Sequence, residues 1–307
     1  MNVALFGATG FVGSYFVKEL ISNSHTPKAL IRPGSEKKLV ESDKCEIVLG
    51  DVGDLSAVKK VVEGADAVIY NIGIIRQFPK KGITFDALHF QGAKTCIEMA
   101  KKLGIKRFIL MSANGVKPTG TSYQRTKYLA EQYLINSGLD WTIFRPSLIF
   151  GNPENKIEFC SQLRDDMLNL PVPAPLFYDG LLPIQAGQFA MSPIHVTDVA
   201  KCFVKTLELD STVSKTYHLG GTEYIIWKDM ISIISTASGK KKWKIPAPVL
   251  PIKILASILD RFSWFPITKD QLTMLMEGNT CDALEASIDF EFEPMKFNKG
   301  SLKYLAD

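Results

Sequence analysis

Long uncharged apolar runs are missing from this 307-residue chain. The stretch GLLPIQAGQFAMSPI comes nearest in character, but proline and glutamine interrupt it, so no segment is expected to cross a bilayer as a helix. The chain also opens without a basic stretch followed by a signal-peptide hydrophobic stretch; MNVALFGATG reads as a strand and a glycine turn. The expectation is a soluble, cytoplasmic protein, at most peripheral on a membrane.

Paired cysteines are lacking too. Cys45, Cys96, Cys160, Cys202 and Cys281 lie far apart with no C-x-x-C spacing, which argues against a disulfide framework or a zinc site and for reduced thiols. No cluster of His, Cys and acids has metal-ligand spacing, so no metal is expected. There is no strong charge surplus: 36 Lys and Arg are scattered among 32 acids, net +4, which gives no footprint for nucleic acid. Internal repeats and low-complexity tracts are absent, and 46% hydrophobic residues is an ordinary globular content.

What is present is an alternation. NVALF, KALI, CEIVLG, DAVIY, RFILMS and WTIFRP are strand-sized, β-rich runs, and FVGSYFVKELI, LSAVKKVVEG, DALHFQGAKTCIEMAKKLG and SYQRTKYLAEQYLINSG are helix-sized segments between them. Apolar runs joined by helices predict an α/β fold, a Rossmann-type doubly wound parallel sheet. Beyond residue 150 the pattern loosens. LPVPAPLFYDGLLPIQAG reads as loops or a lid, SPIHVTDVAKCFVKTLEL as a strand end and a helix, and TYHLGG as a strand. The expected organisation is a dinucleotide-binding domain of residues 1–150 with about 191–212. A smaller, mixed substrate or partner lobe takes about 151–190 and 213–307.

The glycines set the chemistry. GATGFVG places Gly7, Gly10 and Gly13 after the first strand and at the opening of the first helix, with Thr9, Phe11 and Val12 between them. Glycine there permits a tight turn and close backbone approach, and the helix N-terminus faces a pyrophosphate. At the end of the second strand an acid would bind a free ribose 2′-hydroxyl, whereas a basic residue accommodates a 2′-phosphate. KALIRPGSEKK offers Arg32 there, with Lys37 and Lys38 nearby, which favours NADP(H) and leaves NAD(H) open. Asp51 and Val52 end the third strand, where an adenine edge is expected, and Asn71 and Gly73 end the fourth, beside ribose and phosphates.

Tyr123 and Lys127 are four residues apart on one helix and share a face. Together with GATGFVG, GDVGD, Ser112 after strand five, RPSLIFG and SPIHVTDVA, they make the chain resemble the short-chain dehydrogenase/reductase superfamily in its extended and atypical branches. The matching pieces cover the first two-thirds of the chain. More narrowly, RPSLIFG, FAMSPIHVTDVA and FPITKDQLTMLMEGN resemble bacterial relatives of the NADPH-binding accessory subunit of respiratory complex I.

The resemblance implies a Ser112–Tyr123–Lys127 site in which tyrosine exchanges a proton with a carbonyl or alcohol. A phenol titrates near ~10, and the Lys127 cation would lower that value. Ser112 would donate to the substrate oxygen, Lys127 would also hold the nicotinamide ribose, and Pro146, Ser147 and Ile149 would meet the carboxamide. Where the family usually carries Asn three residues before the glycine of HFQGAK, this chain has His89, read as a packing or passive hydrogen-bonding residue outside the catalytic set. His195 and Asp198 are read as structural.

On the substrate side, Lys156, Arg164 and Lys201 make no convincing pyrophosphate cluster, so a sugar-nucleotide epimerase or dehydratase is the least favoured reading. Residues 252–262, taken as a helix, put Lys253, Ser257, Asp260 and Arg261 on one narrow face, with Ile252, Ile254, Leu255, Ile258, Leu259 and Phe262 around the rest and Trp264 and Phe265 beyond. That arc is wider than a surface helix needs. It is either covered by the rest of the chain or meets a membrane, a partner or an apolar ligand such as a quinone precursor. Two functions follow: an oxidoreductase on a lipophilic carbonyl or alcohol, or a non-catalytic nucleotide-binding accessory or assembly protein. The second, through the resemblance, implies a respiratory-complex partner on the inner face of its membrane.

Overall fold

The apolar runs of the first half become parallel strands in a single sheet. These are β1 (Asn2–Phe6), β2 (Thr26–Ile31), β3 (Glu46–Leu49), β4 (Ala67–Tyr70), β5 (Arg107–Met111) and β6 (Asp140–Pro146). A later strand, β11 (Lys215–Leu219), joins them, giving a seven-stranded order β11-β6-β5-β4-β1-β2-β3. This is the doubly wound α/β arrangement. The structure is a computed structural model, and it describes residues 1–260, 265 and 267–306.

Strand alternation sends successive side chains to opposite faces. Phe108, Leu110 and Ile143 face the core shared with α2 (Leu55–Val62), α3 (Gly92–Lys102) and α4 (Ser122–Ile135). Phe144 points the other way, where its ring lies 4.4 Å from Phe203, which stacks on Phe16 at 4.5 Å. Those partners belong to α6 (Val196–Lys205) and α1 (Phe11–Ser22), which pack together. Fully burying one such aromatic side chain stabilises the fold by about 2–3 kcal/mol.

The chain divides into two compact units, the first comprising Met1–Pro146, Val196–Leu219 and Leu284–Phe292. The sequence assigned TYHLGG to the smaller lobe, yet its strand is the edge of the large sheet, paired with β6 from Lys215↔Thr142 to Leu219↔Pro146. The pattern of KTYHL fixes a strand but not the sheet it joins. Helix α10 (Leu284–Asp289) also belongs to this unit, and Asp289 accepts from Tyr217 Oη at 2.5 Å and Lys215 Nζ at 2.7 Å.

The second unit is built from short pairings. They are β7 (Ile149–Phe150) with β10 (Ile194–His195), β9 (Ala190–Met191) with β12 (Ile225–Ile226), and β8 (Ala174–Tyr178) with β13 (Lys244–Pro248). Its helices include α5 (Phe159–Leu163), α7 (Trp227–Ala237), α8 (Val249–Leu259) and α9 (Lys269–Glu277). Trp227 anchors the core, with ring centroids 5.7 Å from Phe189 and 6.3 Å from Phe177. Here the expectation of loops over 170–187 needs correction, because β8 lies inside it. β8 pairs on one side only, so Pro175 can sit in it without breaking a ladder on both sides. The Pro175 carbonyl accepts from Trp227 Nε1 at 2.9 Å.

Helix α8 replaces the expected 252–262 helix, and Arg261, Phe262 and Trp264 lie outside the described residues. Val249 and Ala256 are its buried residues, while Leu250, Ile254, Leu255 and Ile258 are exposed. Among the described residues no helix is long and apolar enough to cross a membrane, and no group of three or more His, Cys, Asp and Glu is arranged to hold a metal.

Candidate active site

The sheet order reverses between β4 and β2, on either side of β1, and open α/β sheets bind ligands at that point. Two loops meet there. Gly7, φ +95°, follows β1, and a Cβ on it would lie 2.9 Å from the Asn71 carbonyl oxygen that follows β4. A Cβ on Gly13 would lie 2.0 Å from Gly7 O, so the first turn of α1 is pressed against the loop that precedes it. Gly10 caps α1 with backbone alone, and the first turn holds no acid. The first N–H groups of a helix have no intrahelical partner, and this terminus leaves them to an anion. Thr9, Phe11 and Val12 are half-buried at the same turn.

Around this loop stand the residues expected to select the nucleotide. Arg32, Lys37 and Lys38 are exposed just beyond β2. Asp51 is exposed, with Oδ1 accepting the Gly53 N–H at 3.0 Å, whereas Val52 is buried and turns its side chain into the core beside Gly92. Val52 thus has only its backbone to offer a ligand. Gly73 is exposed, and its missing Cβ would come 3.8 Å from Lys127 Nζ.

Tyr123 and Lys127 are oriented by the start of α4. Thr121 and Gln124 form a capping box, Thr121 Oγ1 accepting the Gln124 N–H at 3.3 Å while Gln124 Oε1 accepts the Thr121 N–H at 2.8 Å. This fixes the register that turns Lys127 toward β5, where its ammonium donates to Met111 O at 2.9 Å. The same ammonium lies 5.8 Å from the centroid of the Tyr123 ring. Ser112, next in the chain, is buried, and its Oγ has no hydrogen-bond partner among the described residues. Ser112, Lys127, Ile72 and His89 line one small crevice. A buried hydroxyl without a partner costs roughly 1–3 kcal/mol, which a ligand oxygen would recover.

Burial governs the ionisation here. It lowers the Lys127 pKa to about 8, against a smaller raising effect of Glu131 one turn along the helix. It also raises the Tyr123 phenol, opposite in sign to the lowering expected from a neighbouring cation, so desolvation dominates. Sequence reasoning missed Glu131's partner. Glu131 is fully buried and receives a bidentate pair from Arg145, Nε at 2.9 Å and a terminal nitrogen at 2.5 Å. The i, i+4 spacing of Lys127 and Glu131 was the available signal, but Arg145 comes from β6 and only the fold brings it near.

His89 occupies a π-helical turn, Asp86–Gln91, that leads into α3. Its Nε2 accepts the Ile74 N–H at 3.1 Å, so the neutral ring carries its proton on Nδ1 and donates to Thr126 Oγ1 at 3.2 Å. The imidazole stacks on Phe85 at 5.2 Å and meets the Tyr123 ring edge-on at 5.1 Å. Burial, reinforced by Lys127, drives its pKa down to about 2.

The other expected residues have their own surroundings. Pro146 is buried at the end of β6, and its carbonyl accepts from Asn114 N at 2.8 Å. Ser147 and Ile149 fall in the second unit, where Ser147 Oγ donates to Asn279 O at 2.5 Å and Ile149 pairs with Ile194. His195, also there, packs edge-on against Phe150 at 5.1 Å, and Asp198 is buried in the first turn of α6. Arg164 pairs with Asp165 at 2.8 Å, and Lys201 is exposed on α6 in the first unit.

The glycine cradle, the uncapped helix end and the unpartnered Ser112 hydroxyl together fit a nicotinamide dinucleotide. The profile of a family described as NAD(P)H-binding matches residues 7–168, more than half of the chain. An Arabidopsis thaliana protein named NADH dehydrogenase [ubiquinone] 1 alpha subcomplex subunit 9, mitochondrial, is 29% identical over 97% of this chain and 74% of its own. A ceramide reductase of Caulobacter vibrioides is 29% identical over 64% of this chain and 58% of its own. Among solved structures, the UDP-glucuronic acid 4-epimerase from Bacillus cereus with UDP-glucuronic acid and NAD superposes with a TM-score of 0.72 at 18% identity, covering 100% of this chain and 98% of that one. At that identity the superposition speaks for the fold alone.

Proposed function

The chain belongs to the NAD(P)H-binding family, within the extended short-chain dehydrogenase/reductase superfamily, and on that premise we propose that it is an NADP(H)-dependent oxidoreductase acting on a lipophilic carbonyl or alcohol. The observation that carries the reading is the buried, unpartnered Ser112 hydroxyl in the crevice that Lys127 lines, with Tyr123 beside that lysine.

Gly7, Gly10 and Gly13 would hold the pyrophosphate, Arg32 a 2′-phosphate, and Lys127 and Gly73 the nicotinamide side. A bound nicotinamide supplies or accepts hydride. In the reducing direction Ser112 donates a hydrogen bond to the substrate carbonyl oxygen and Tyr123 gives that oxygen its proton. Hydride on carbon and proton on oxygen together make the alcohol. Burial keeps the phenol protonated at neutral pH, the state this direction needs. The relative named a ceramide reductase supports a lipid-like substrate.

The test is Tyr123→Phe. Loss of the proton donor is expected to lower turnover by roughly 10²–10⁴-fold while nucleotide affinity stays unchanged; undiminished turnover removes the proposal.

A second reading, a non-catalytic accessory or assembly protein bound to a respiratory membrane complex, is supported by the mitochondrial NADH dehydrogenase relative and by the exposed apolar residues of α8. It predicts nucleotide binding without turnover, and recovery with native membranes at low salt. A purified protein found free of membranes that oxidises NADPH with a lipophilic carbonyl rules it out.

A further inference from the structure

We propose that the second unit carries a docking surface for an anionic phospholipid bilayer, formed by α8, β13 and the 181–184 loop with a rim of lysines. The surface shares no residue with the nucleotide site, and the proposal does not depend on whether Tyr123 turns over.

The apolar part is drawn from three neighbouring elements. On α8, Leu250, Ile254 and Ile258 recur every four residues and Leu255 extends the same arc, all of them exposed. The opposite face of the helix, with Val249 and Ala256, is buried, so the exposed arc is surplus to packing the helix. β13 runs into α8 without an intervening residue and adds Ile245, preceded by Trp243, which is 82% exposed. A short turn at Pro183–Gln185 lies beside both β13 and β8, and its loop exposes Leu181 at 97% and Ile184 at 81%. Scattered exposed apolar residues need no explanation, but a helix face, an edge strand and a loop exposing them together mark an interaction surface.

Charge selects the occupant. Residues 240–259 contain Lys240, Lys241, Lys242, Lys244 and Lys253 and no acid, and residues 167–189 contain Asp179 alone. None of the five lysines makes an ion pair among the described residues. Lys240, Lys242 and Lys244 donate instead to the neutral acceptors Asn169 Oδ1, Leu170 O and Ser232 Oγ, which leave their charges uncompensated. Lys242 lies close enough to Lys240 for the two to repel. The chain as a whole carries only +4, so this concentration is local. Apolar side chains that enter the acyl boundary, an indole at headgroup level and lysines outside it match an anionic lipid interface. A protein partner would need acids arranged to meet each lysine, whereas a bilayer presents its charge as a continuous sheet.

The experiment is co-sedimentation of the full chain with phosphatidylcholine vesicles, with and without phosphatidylglycerol. The wild type is expected to pellet with the phosphatidylglycerol vesicles and to be released by salt. Ile254→Asp with Ile258→Asp is expected to abolish pelleting, and Lys240→Gln with Lys241→Gln to weaken it at least about tenfold, since each lysine near an anionic surface contributes roughly fivefold. All four positions are exposed, and retained nucleotide binding shows that the variants fold. Tyr123→Phe should pellet like the wild type, which keeps failure of the catalytic reading distinct from failure of this one. No pelleting with phosphatidylglycerol, equal pelleting without it, or indifference to both double variants overturns the proposal. So does binding that requires native membranes and is lost when they are stripped by protease, because the occupant is then a protein.

Discussion

His89 accepts the backbone N–H of Ile74 through Nε2 at 3.1 Å, and that one bond decides the tautomer. The proton sits on Nδ1 and points at Thr126, one residue before Lys127. The imidazole therefore ties the loop after β4 to the helix that carries Tyr123 and Lys127. Both ring nitrogens are used, which fits a passive, positioning role better than a proton relay.

Because burial lowers the His89 pKa to about 2 from its usual 6.5, the folded chain refuses a proton that the unfolded chain takes up. The associated stability is present above pH 6.5 and is lost as pH falls from 6.5 toward 2. The imidazole ¹⁵N signals of His89 should keep the neutral Nδ1–H pattern from neutral pH down to the onset of acid unfolding. A midpoint near 6.5 in the folded protein would contradict the assignment.

Lys127 should show the alkaline counterpart. Its folded pKa of about 8 lies below the usual 10.5, so between these values the unfolded chain binds more protons and stability rises with pH. Unfolding by urea across that window is expected to show a gain on the order of 3 kcal/mol in the wild type, absent in Lys127→Met. A flat difference between the two proteins would mean the ammonium is not desolvated.

Glu131→Gln removes the carboxylate that Arg145 grips and that opposes the desolvation of Lys127. Breaking a buried pair from one side typically costs about 3–5 kcal/mol, and the loss should appear in urea unfolding. The same variant should move the Lys127 titration below about 8. An unmoved titration would show that Glu131 acts on Arg145 alone.

Gly13→Ala tests the cradle. A methyl 2.0 Å from Gly7 O cannot be accommodated without displacing the loop, and overpacking of this kind costs about 1–3 kcal/mol. Nucleotide affinity should fall at least tenfold by isothermal titration, with the sheet intact by circular dichroism. Full-strength binding by the variant would place the nucleotide elsewhere.

Arg32→Asp addresses cofactor choice. Exchanging the cation at the end of β2 for an acid is expected to weaken NADPH binding at least tenfold and to strengthen NADH binding, read by titration of each nucleotide. Parallel changes in both affinities would mean that Arg32 does not meet a 2′-phosphate.

Strands β1 to β6 were legible in the residues alone, because each is a short apolar run closed by turn or helix signals, and so was the glycine loop, because only glycine tolerates the backbone approach at Gly13. The Tyr123–Lys127 pair was legible from its four-residue spacing on a helix-sized segment. Tertiary structure decided what depends on distant partners. It set KTYHL at the edge of the large sheet, made a strand of Ala174–Tyr178 despite its proline, and gave Glu131 its Arg145. It also reversed the sign expected at the Tyr123 phenol, since desolvation is a property of the surroundings and cannot be read from the residue four places along. Local pattern fixes which way a side chain points on its own element; only the packed fold fixes what it meets there and how much water is left around it.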